Sequence, residues 1–196
     1  MKYSDIQSVA EDQKEILYSF ELGTIRELLA SLPVTSSHAL VVSGIRRCGK
    51  SVLLHQFIRN EIDDVFYFNF ADIRLYEFSA MDFILLDELI RESRKKILFF
   101  DEIQIVVGWE LYVRQKLDQS ARIIITGSNA HMLSVELGTN LTGRHITKEL
   151  FPFSYNEFCL FYSYRYDNKV AGRFKINRDS FIFGIIKKEA PVCTRE

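Results

Sequence analysis

Two glycines five positions apart, Gly44 and Gly49, are followed at once by Lys50 and Ser51. This spacing fits the pattern G-x-x-x-x-G-K-[ST] in full, after a short apolar run and before a segment of helical character. Glycines let the backbone fold tightly, so that successive N–H groups point at phosphate oxygens, and the following helix adds the positive end of its dipole. The pattern therefore predicts a phosphate-binding loop.

Each position of this loop has an expected role. Lys50 would reach the β- and γ-phosphates of a nucleotide, and the Ser51 hydroxyl would complete the shell of a Mg²⁺ ion. Arg46 and Arg47 either touch phosphate or point to solvent, and solvent is preferred for at least one. Cys48 is either a small tolerated residue or, as the less favoured alternative, a redox-sensitive thiol. The expected nucleotide-binding residues are Gly44, Ile45, Arg46, Arg47, Cys48, Gly49, Lys50, Ser51 and Val52.

An acidic pair, Asp101 and Glu102, ends the apolar run "KKILFFDEIQ" about fifty residues after Lys50. We expect Asp101 to hold Mg²⁺ and Glu102 to orient and deprotonate an attacking water. The alternative is an acidic pair that merely solvates a strand end. The apolar strand and its distance from the loop favour a phosphoryl-transfer site.

The run "IIITGSN" is predicted to end a fourth strand with polar side chains. Ser128 is the first choice for a residue that lies near the γ-phosphate and positions water, with Asn129 behind it. A helix cap formed by the same two residues is almost as well supported by the sequence.

Arg144, in "LTGRHI", has two readings. It is either an arginine finger for the γ-phosphate of a neighbouring subunit or a surface arginine after a turn glycine. The sequence does not separate these alternatives.

The elements that must position these residues alternate along the chain. Short apolar runs separated by helical segments favour a parallel sheet covered by helices on both faces, which is a three-layer α/β architecture. Ligands of such sheets bind beyond the carboxyl ends of the strands. The predicted strands cover residues 38–43, 65–70, 96–101, 121–126 and 144–150.

Three segments are expected along the chain. Residues 1–37 form a helical N-terminal extension, residues 38–166 form the nucleotide-binding core, and residues 167–196 form a tail without clear periodicity.

Composition excludes several classes of protein. A formal net charge of -1 gives no whole-chain attraction to nucleic acid, and three cysteines without metal-like spacing suit a reducing cytoplasm. The N-terminus is too polar for a signal peptide, and no apolar run is long enough for a membrane span. We therefore expect a cytoplasmic protein without membrane association.

The motifs also distinguish between the known classes of nucleotide-binding protein. The guanine-recognition and Asp-x-x-Gly motifs of small GTPases, and the LSGGQ motif of transporter ATPases, have no counterpart in the expected roles. Nucleotide kinases usually lack a glutamate next to the aspartate. ATP hydrolysis remains.

Four stretches together resemble one family: "VVSGIRRCGKSVLL", "ILFFDEIQ…GWE", "IIITGSN" and "LTGRHITKELFPFSYNEF". They are similar to the AAA-type P-loop ATPases of bacteria and archaea that carry a C-terminal domain of unknown function, over residues 38 to about 160. The resemblance implies a P-loop NTPase core of AAA/RecA-like (ASCE) type, with a mostly parallel five-stranded sheet. It further implies Gly44 to Ser51 as Walker A, Asp101 with Glu102 as Walker B, Ser128 or Asn129 as sensor, and Arg144 as a family arginine.

Proteins of this family usually continue into a second domain, and typical AAA modules carry a helical lid after the core. Neither is recognisable before Glu196, so we expect a truncated or shortened member. Turnover by this chain alone is left open at this point.

Three functions follow from these observations. The preferred one is an ATPase core that binds Mg-ATP and hydrolyses it, with a homo-oligomer and an unknown protein partner as expected associations. The second is a nucleotide-dependent protein-binding switch with little turnover. The third, less favoured, is a DNA-associated motor, with nucleic acid bound only through a missing domain.

Overall fold

A computed structural model describes residues 1–19, 22–33, 37–61, 65–127, 141 and 143–170. Its centre is a five-stranded sheet in the order β2-β3-β4-β1-β5, and every strand pairing in this sheet is parallel. The predicted three-layer α/β core with a mostly parallel sheet is confirmed. The strands are β1 (Ala39–Gly44), β2 (Val65–Asn69), β3 (Ile97–Asp101), β4 (Arg122–Thr126) and β5 (His145–Leu150).

Helices follow or precede the strands in the manner expected for crossover connections between parallel strands. In the part of the chain that the structure describes, no helix is long and apolar enough to cross a membrane. Short 3₁₀ helices occupy residues 27–31, 73–75, 80–82 and 103–105. The longer helices are α1 (Tyr3–Ser19), α2 (Lys50–Glu61), α3 (Phe83–Ser93), α4 (Trp109–Asp118) and α5 (Tyr155–Val170).

The two faces of the sheet bury separate apolar clusters. Helices α1, α3 and α4 pack on one face, where Trp109 is fully buried and Tyr112 stacks on Phe83 with 4.0 Å between ring centroids. Helix α2 packs on the other face through Leu53 and Leu54. Strands buried on both faces explain the continuous apolar runs in the sequence.

The predicted N-terminal extension is helical only in part, and its helix packs directly on the core. Helix α1 contributes Ile6 and Val9 to the first apolar cluster. The Gln13 amide donates to the Asn69 carbonyl at 3.0 Å and accepts from the Asn69 N–H at 2.8 Å, as an extra strand would. Residues 167–170 of the predicted tail belong to α5, and residues 171–196 lie outside the described residues.

Strand register brings the loop after β1 and the acidic pair, Asp101 and Glu102, to the carboxyl end of the strands. Strand β4 lies between β1 and β3, and its last residue, Thr126, is paired with Val42 on one side and Asp101 on the other. The loop after β1 and the acidic pair after β3 therefore flank the end of one strand.

A buried histidine on α2 predicts that the stability of the domain depends on pH. His55 on α2 makes edge contacts with the rings of Tyr67 and Phe99, and burial, followed by the charge of Arg59, lowers its pKa from 6.5 to about 4. As pH falls from 6.5 towards 4, the unfolded chain binds a proton that the folded chain does not, so the free energy of unfolding falls by up to about 3 kcal/mol. We expect His55→Phe to remove this part of the acid sensitivity, measured by urea unfolding between pH 7.5 and pH 4.5.

The comparison uses differences between variants, because other groups titrate in the same range. The stability gap between His55→Phe and wild type should change in favour of the variant as pH falls. A gap that stays constant over this range would contradict the prediction.

Candidate nucleotide-binding site

The loop between β1 and α2 makes a tight turn that glycine alone accommodates at its start. Gly44 has φ 145°, and a Cβ there would lie 2.3 Å from the Leu150 carbonyl oxygen of β5. Gly49 has φ 94°, and Arg47 lies in the left-handed region at φ 66°. Both glycines of the sequence pattern are thus required by the observed backbone.

The Lys50 side chain folds back into the curve of the loop. It is 6% exposed, and its Nζ donates to the carbonyl oxygens of Gly44 and Ile45, each at 3.0 Å. An ammonium group is therefore held inside the loop, where a phosphate-binding loop places its positive charge.

Ser51 contacts Asp101 at the carboxyl end of the strands. The Ser51 hydroxyl donates to Asp101 Oδ2 at 3.2 Å, although the two residues are 50 positions apart. The Tyr67 hydroxyl donates to the same oxygen at 3.2 Å, and the Thr126 hydroxyl donates to Asp101 Oδ1. The carboxylate thus collects hydroxyl donors from α2, β2 and β4.

The Asp101 carboxylate is buried, and burial raises its pKa above the ordinary value. The hydrogen bond from Thr126 opposes this shift, the negative charge of Glu102 adds to it, and the bonds from Tyr67 and Ser51 oppose it. The net direction means that the hydroxyl donors do not fully compensate the desolvated charge. A cation beside this carboxylate would be stabilised.

Glu102 ends β3 in an unusual backbone conformation. Its φ of 55° and ψ of 34° place it in the left-handed region, which is uncommon for a residue with a side chain and recurs at functional sites. Its N–H donates to Thr126 Oγ1 at 3.2 Å, and its carboxylate accepts a hydrogen bond from the Gln104 amide. The conformation turns the chain directly after the strand.

The remaining predicted loop residues differ in exposure. Ile45, Arg46 and Arg47 are exposed at the turn, while Cys48 is a buried free thiol packed in the second apolar cluster. Val52 lies partly buried in the first turn of α2. Ser128 and Asn129, the predicted sensor residues, lie outside the described residues.

Arg144 lies at the amino-terminal end of the parallel strands, opposite the phosphate loop. It immediately precedes β5, and its carbonyl accepts from the N–H of Ala39 at the start of β1. The 6 residues of β5 separate this end of the sheet from the phosphate loop, about 20 Å at the usual rise per residue. Its guanidinium pairs with Asp118 of α4, so within one chain it is remote from Lys50, and a role in a neighbouring subunit stays a prediction.

Tyr67 and Thr126 also contact Asp101, but neither is among the residues that the sequence predicts for the site. Thr126 lies at the end of a predicted strand, but its contact with Asp101 depends on β4 being the neighbour of β3. Tyr67 is one residue among several aromatic ones on β2, and only the β2–β3 pairing reveals its position. These two residues could have been predicted only with knowledge of the order of the strands in the sheet.

A buried ion pair lies directly behind the phosphate loop. Arg26 Nε donates to Glu157 Oε1 at 2.8 Å, Nη1 donates to the Cys48 carbonyl at 2.6 Å, and Nη2 donates to the Phe151 carbonyl at 2.7 Å. The two side chains belong to residues that are 4% and 3% exposed. The guanidinium also lies over the Phe153 ring, 4.8 Å from its centroid.

Glu157 has a second role in the local structure. Ser154 N–H donates to Glu157 Oε2 at 2.8 Å and Glu157 N–H donates to the Ser154 hydroxyl at 3.2 Å, which is a capping box at the start of α5. The N–H of Glu27 also donates to Glu157 Oε1 at 2.8 Å. Burial alone would raise the pKa of Glu157, but these bonds, led by that from Arg26, hold it below its usual value.

A family model called AAA_14, described as an AAA domain, matches residues 36–159. This chain belongs to that AAA-domain family. The match covers all five strands of the sheet, the phosphate loop and the capping box of α5. The resemblance inferred from the four sequence stretches is thereby confirmed.

Two curated relatives are similar to about three fifths of this chain. A protein of Methanocaldococcus jannaschii is 40% identical over 126 residues, which are 62% of this chain and 28% of that protein. A protein of Haemophilus influenzae is 41% identical over 130 residues, which are 60% of this chain and 32% of that protein. Both are called uncharacterized, and the chain spans about a third of the length of these relatives.

The solved structures that match this chain include two at low similarity. A katanin structure has a TM-score of 0.38 at 21% identity, covering 70% of this chain and 50% of katanin. Caenorhabditis elegans PCH-2 has a TM-score of 0.40 at 14% identity, covering 86% of this chain and 46% of PCH-2. At these values they add nothing to the topology described above.

Proposed function

We propose that this AAA domain binds Mg-ATP in the loop from Gly44 to Val52 and hydrolyses it to ADP and phosphate. The observation that carries the proposal is the 3.2 Å hydrogen bond between the Ser51 hydroxyl and the Asp101 carboxylate. It brings together, at the end of the parallel sheet, the two groups that the sequence predicts as metal ligands. The family supports a nucleotide-binding ATPase of this kind.

The residues present fit a Mg²⁺ ion. Hydroxyl and carboxylate oxygens are the ligands that Mg²⁺ prefers, together with water and nucleotide phosphates. The raised pKa of the buried Asp101 also indicates a negative charge that a cation would stabilise. Mg²⁺ held by Ser51 and Asp101 would offset the phosphate charge during the reaction.

Lys50 and the loop amides would bind the phosphates. Lys50 Nζ now donates to two loop carbonyls, and phosphate oxygens are stronger acceptors for an ammonium than neutral carbonyls. We therefore infer that Lys50 exchanges at least one carbonyl for a phosphate oxygen, while the N-terminus of α2 contributes its dipole.

Glu102 would act on the attacking water. Its carboxylate takes a proton from the water as the water oxygen bonds to the γ-phosphorus and the bond to the β–γ bridging oxygen breaks. Its backbone is fixed by Thr126 and its side chain by Gln104, so the carboxylate is oriented before the nucleotide arrives.

Further roles are proposed for Ser128 and Asn129, which lie outside the described residues, and for Arg144, which pairs with Asp118 away from the loop. Ser128, with Asn129 behind it, would position the water. Arg144 would act, if at all, in a neighbouring subunit of a homo-oligomer. The preference for ATP over GTP rests on the class of the protein.

The test is a calorimetric titration of Mg-ATP and Mg-GTP into wild type and Lys50→Ala. We expect saturable Mg-ATP binding by wild type, weaker Mg-GTP binding, and an affinity loss of about 100-fold or more in the variant, because a buried charge-assisted contact with phosphate is lost.

Lys116→Ala is the matched control. Lys116 is also a buried lysine, 7% exposed, but its Nζ pairs with Asp87 at 2.7 Å, away from the loop. Its removal should leave Mg-ATP affinity unchanged. A folded wild type that does not bind Mg-ATP, or equal binding by Lys50→Ala, would refute the proposal.

A nucleotide-dependent switch with little turnover is the second candidate. The contact of Arg26 with both the Cys48 and Phe151 carbonyls favours it, because that contact connects the loop to the segment that begins α5. Phosphate release by the wild type separates the two candidates.

A further inference from the structure

We propose that Arg26 is a positioning residue for the phosphate loop and that, with Glu157, it couples the loop to the segment 151–157. The inference rests on the proposed nucleotide site and deepens it. It concerns a residue that lies 18 positions before the first loop glycine and has no place in the loop pattern.

The guanidinium holds one peptide group of the loop in a fixed orientation. Nη1 donates to the Cys48 carbonyl at 2.6 Å. In a trans peptide the C=O and the following N–H point in opposite directions, so this bond turns the Gly49 N–H away from Arg26. In a phosphate loop that N–H is one of the groups aimed at phosphate, so Arg26 orients a ligand-binding amide without touching the ligand.

The fit between Arg26 and the loop is close. A Cβ at Gly49 would lie 3.2 Å from Arg26 Nη1, on a backbone with φ 94°. The second glycine of the pattern therefore leaves room for the guanidinium as well as permitting the turn. A planar group with several fixed N–H directions suits this place, and a lysine ammonium does not reproduce it.

Glu157 makes a buried arginine tolerable beside a loop that must also bind Mg²⁺. Its carboxylate neutralises the guanidinium, while backbone N–H groups of Ser154 and Glu27 satisfy its other lone pairs. Removal of one partner alone would leave an uncompensated buried charge, which is strongly destabilising. Arg26 and Glu157 must therefore be replaced together if no unpaired charge is to remain buried.

One guanidinium thus touches both the loop and the segment after β5. Nη2 donates to the Phe151 carbonyl, and Glu157 lies in the first turn of α5. A displacement of the Cys48 carbonyl on phosphate binding that carries Arg26 with it would also displace the partners of Arg26, Phe151 and Glu157. We infer that nucleotide occupancy is read out at the start of α5.

The experiment measures Mg-ATP affinity by calorimetry and backbone hydrogen exchange of peptides covering residues 44–52 and 151–158. In wild type, saturating Mg-ATP should slow exchange in both peptides. This first measurement needs no variant, so it tests the coupling even if a substitution prevents folding.

The main variant combines Arg26→Met with Glu157→Gln, so that no unpaired buried charge remains and glutamine keeps the capping box. We expect about a tenfold to hundredfold loss of Mg-ATP affinity, the size of one lost charge-assisted hydrogen bond, with protection confined to residues 44–52. Arg26→Lys should also lose Mg-ATP affinity and protection at residues 151–158, because lysine keeps the positive charge but lacks the several fixed N–H donors of the guanidinium.

Arg74→Met is the control for loss of an arginine ion pair. Arg74 pairs with Asp12 and Asp72, its side chain is 44% exposed, and it should leave affinity and exchange unchanged. Wild type that binds Mg-ATP without protection at 151–158, together with unchanged affinity in the double variant, would overturn this inference and leave the nucleotide site standing. A folded wild type that binds no Mg-ATP would overturn both.

Discussion

Replacement of Glu102 by glutamine should leave Mg-ATP affinity near that of wild type and slow phosphate release by about 100-fold or more. Glutamine keeps the size of the side chain and a hydrogen bond with Gln104, but it has no carboxylate to accept a proton from water. Phosphate release at saturating Mg-ATP, with calorimetry on the same samples, measures the two quantities separately.

Glu149→Gln provides the matched change of charge. Glu149 is an exposed residue near the end of β5, at the same edge of the sheet as the loop, and it has no proposed catalytic role. Its substitution should leave phosphate release unaltered. Unchanged phosphate release in Glu102→Gln would remove Glu102 from the reaction, and a wild type that binds Mg-ATP without releasing phosphate would favour the switch.

Replacement of Gly44 by alanine should destabilise the whole domain. The added Cβ would lie 2.3 Å from the Leu150 carbonyl oxygen and 3.1 Å from Cys48 Sγ, at a φ of 145°. The first contact is with the backbone of a paired strand, so β1 and β5 must separate to relieve it. We expect a loss of about 3 kcal/mol or more in the free energy of unfolding, measured by urea denaturation.

Gly143→Ala is the control variant that has backbone strain without a steric clash. Gly143 also has a positive φ, 74°, but a Cβ there meets nothing within 4 Å. Its substitution should cost about 1 kcal/mol, the conformational penalty alone. Equal losses for the two variants would show that contact with Leu150 is relieved at little cost.

Local sequence was sufficient to predict the strands and several of the residues that meet at the candidate site. The apolar runs predict β1 to β4 within two residues, because a strand buried on both faces needs continuous apolar side chains. β5 is predicted as closely, although its Thr147 and Glu149 are exposed. The loop pattern predicts Lys50 and Ser51, since phosphate binding imposes residue types at fixed short spacing. Asp101 follows from its place at the end of an apolar strand.

Residues that depend on strand order were harder to predict. The hydroxyl of Thr126 serves Asp101 because β4 lies between β1 and β3, and Tyr67 does so because β2 is on the other side. No local pattern encodes which strand neighbours which. Their types are also common in strands for reasons of packing alone.

Arg26 and Glu157 show why the support of the loop escaped prediction. They are 131 positions apart, and each has an ordinary local explanation: one precedes a short helical turn and the other completes a capping box. The division of the chain into an extension and a core also placed Arg26 outside the domain it supports. A pairing of this kind is determined by tertiary packing.

The two carbonyl contacts of Lys50 have a consequence for how quickly a nucleotide can be accepted. Because Gly44 and Ile45 already enclose the ammonium, the loop is preorganised, and the arriving phosphates replace partners in an existing shell. Association should then be limited by diffusion and electrostatic attraction, with a marked dependence on ionic strength, because no slow ordering of the chain precedes it. Under the proposed function, the ammonium group that would bind phosphate also holds its loop in shape when no nucleotide is bound.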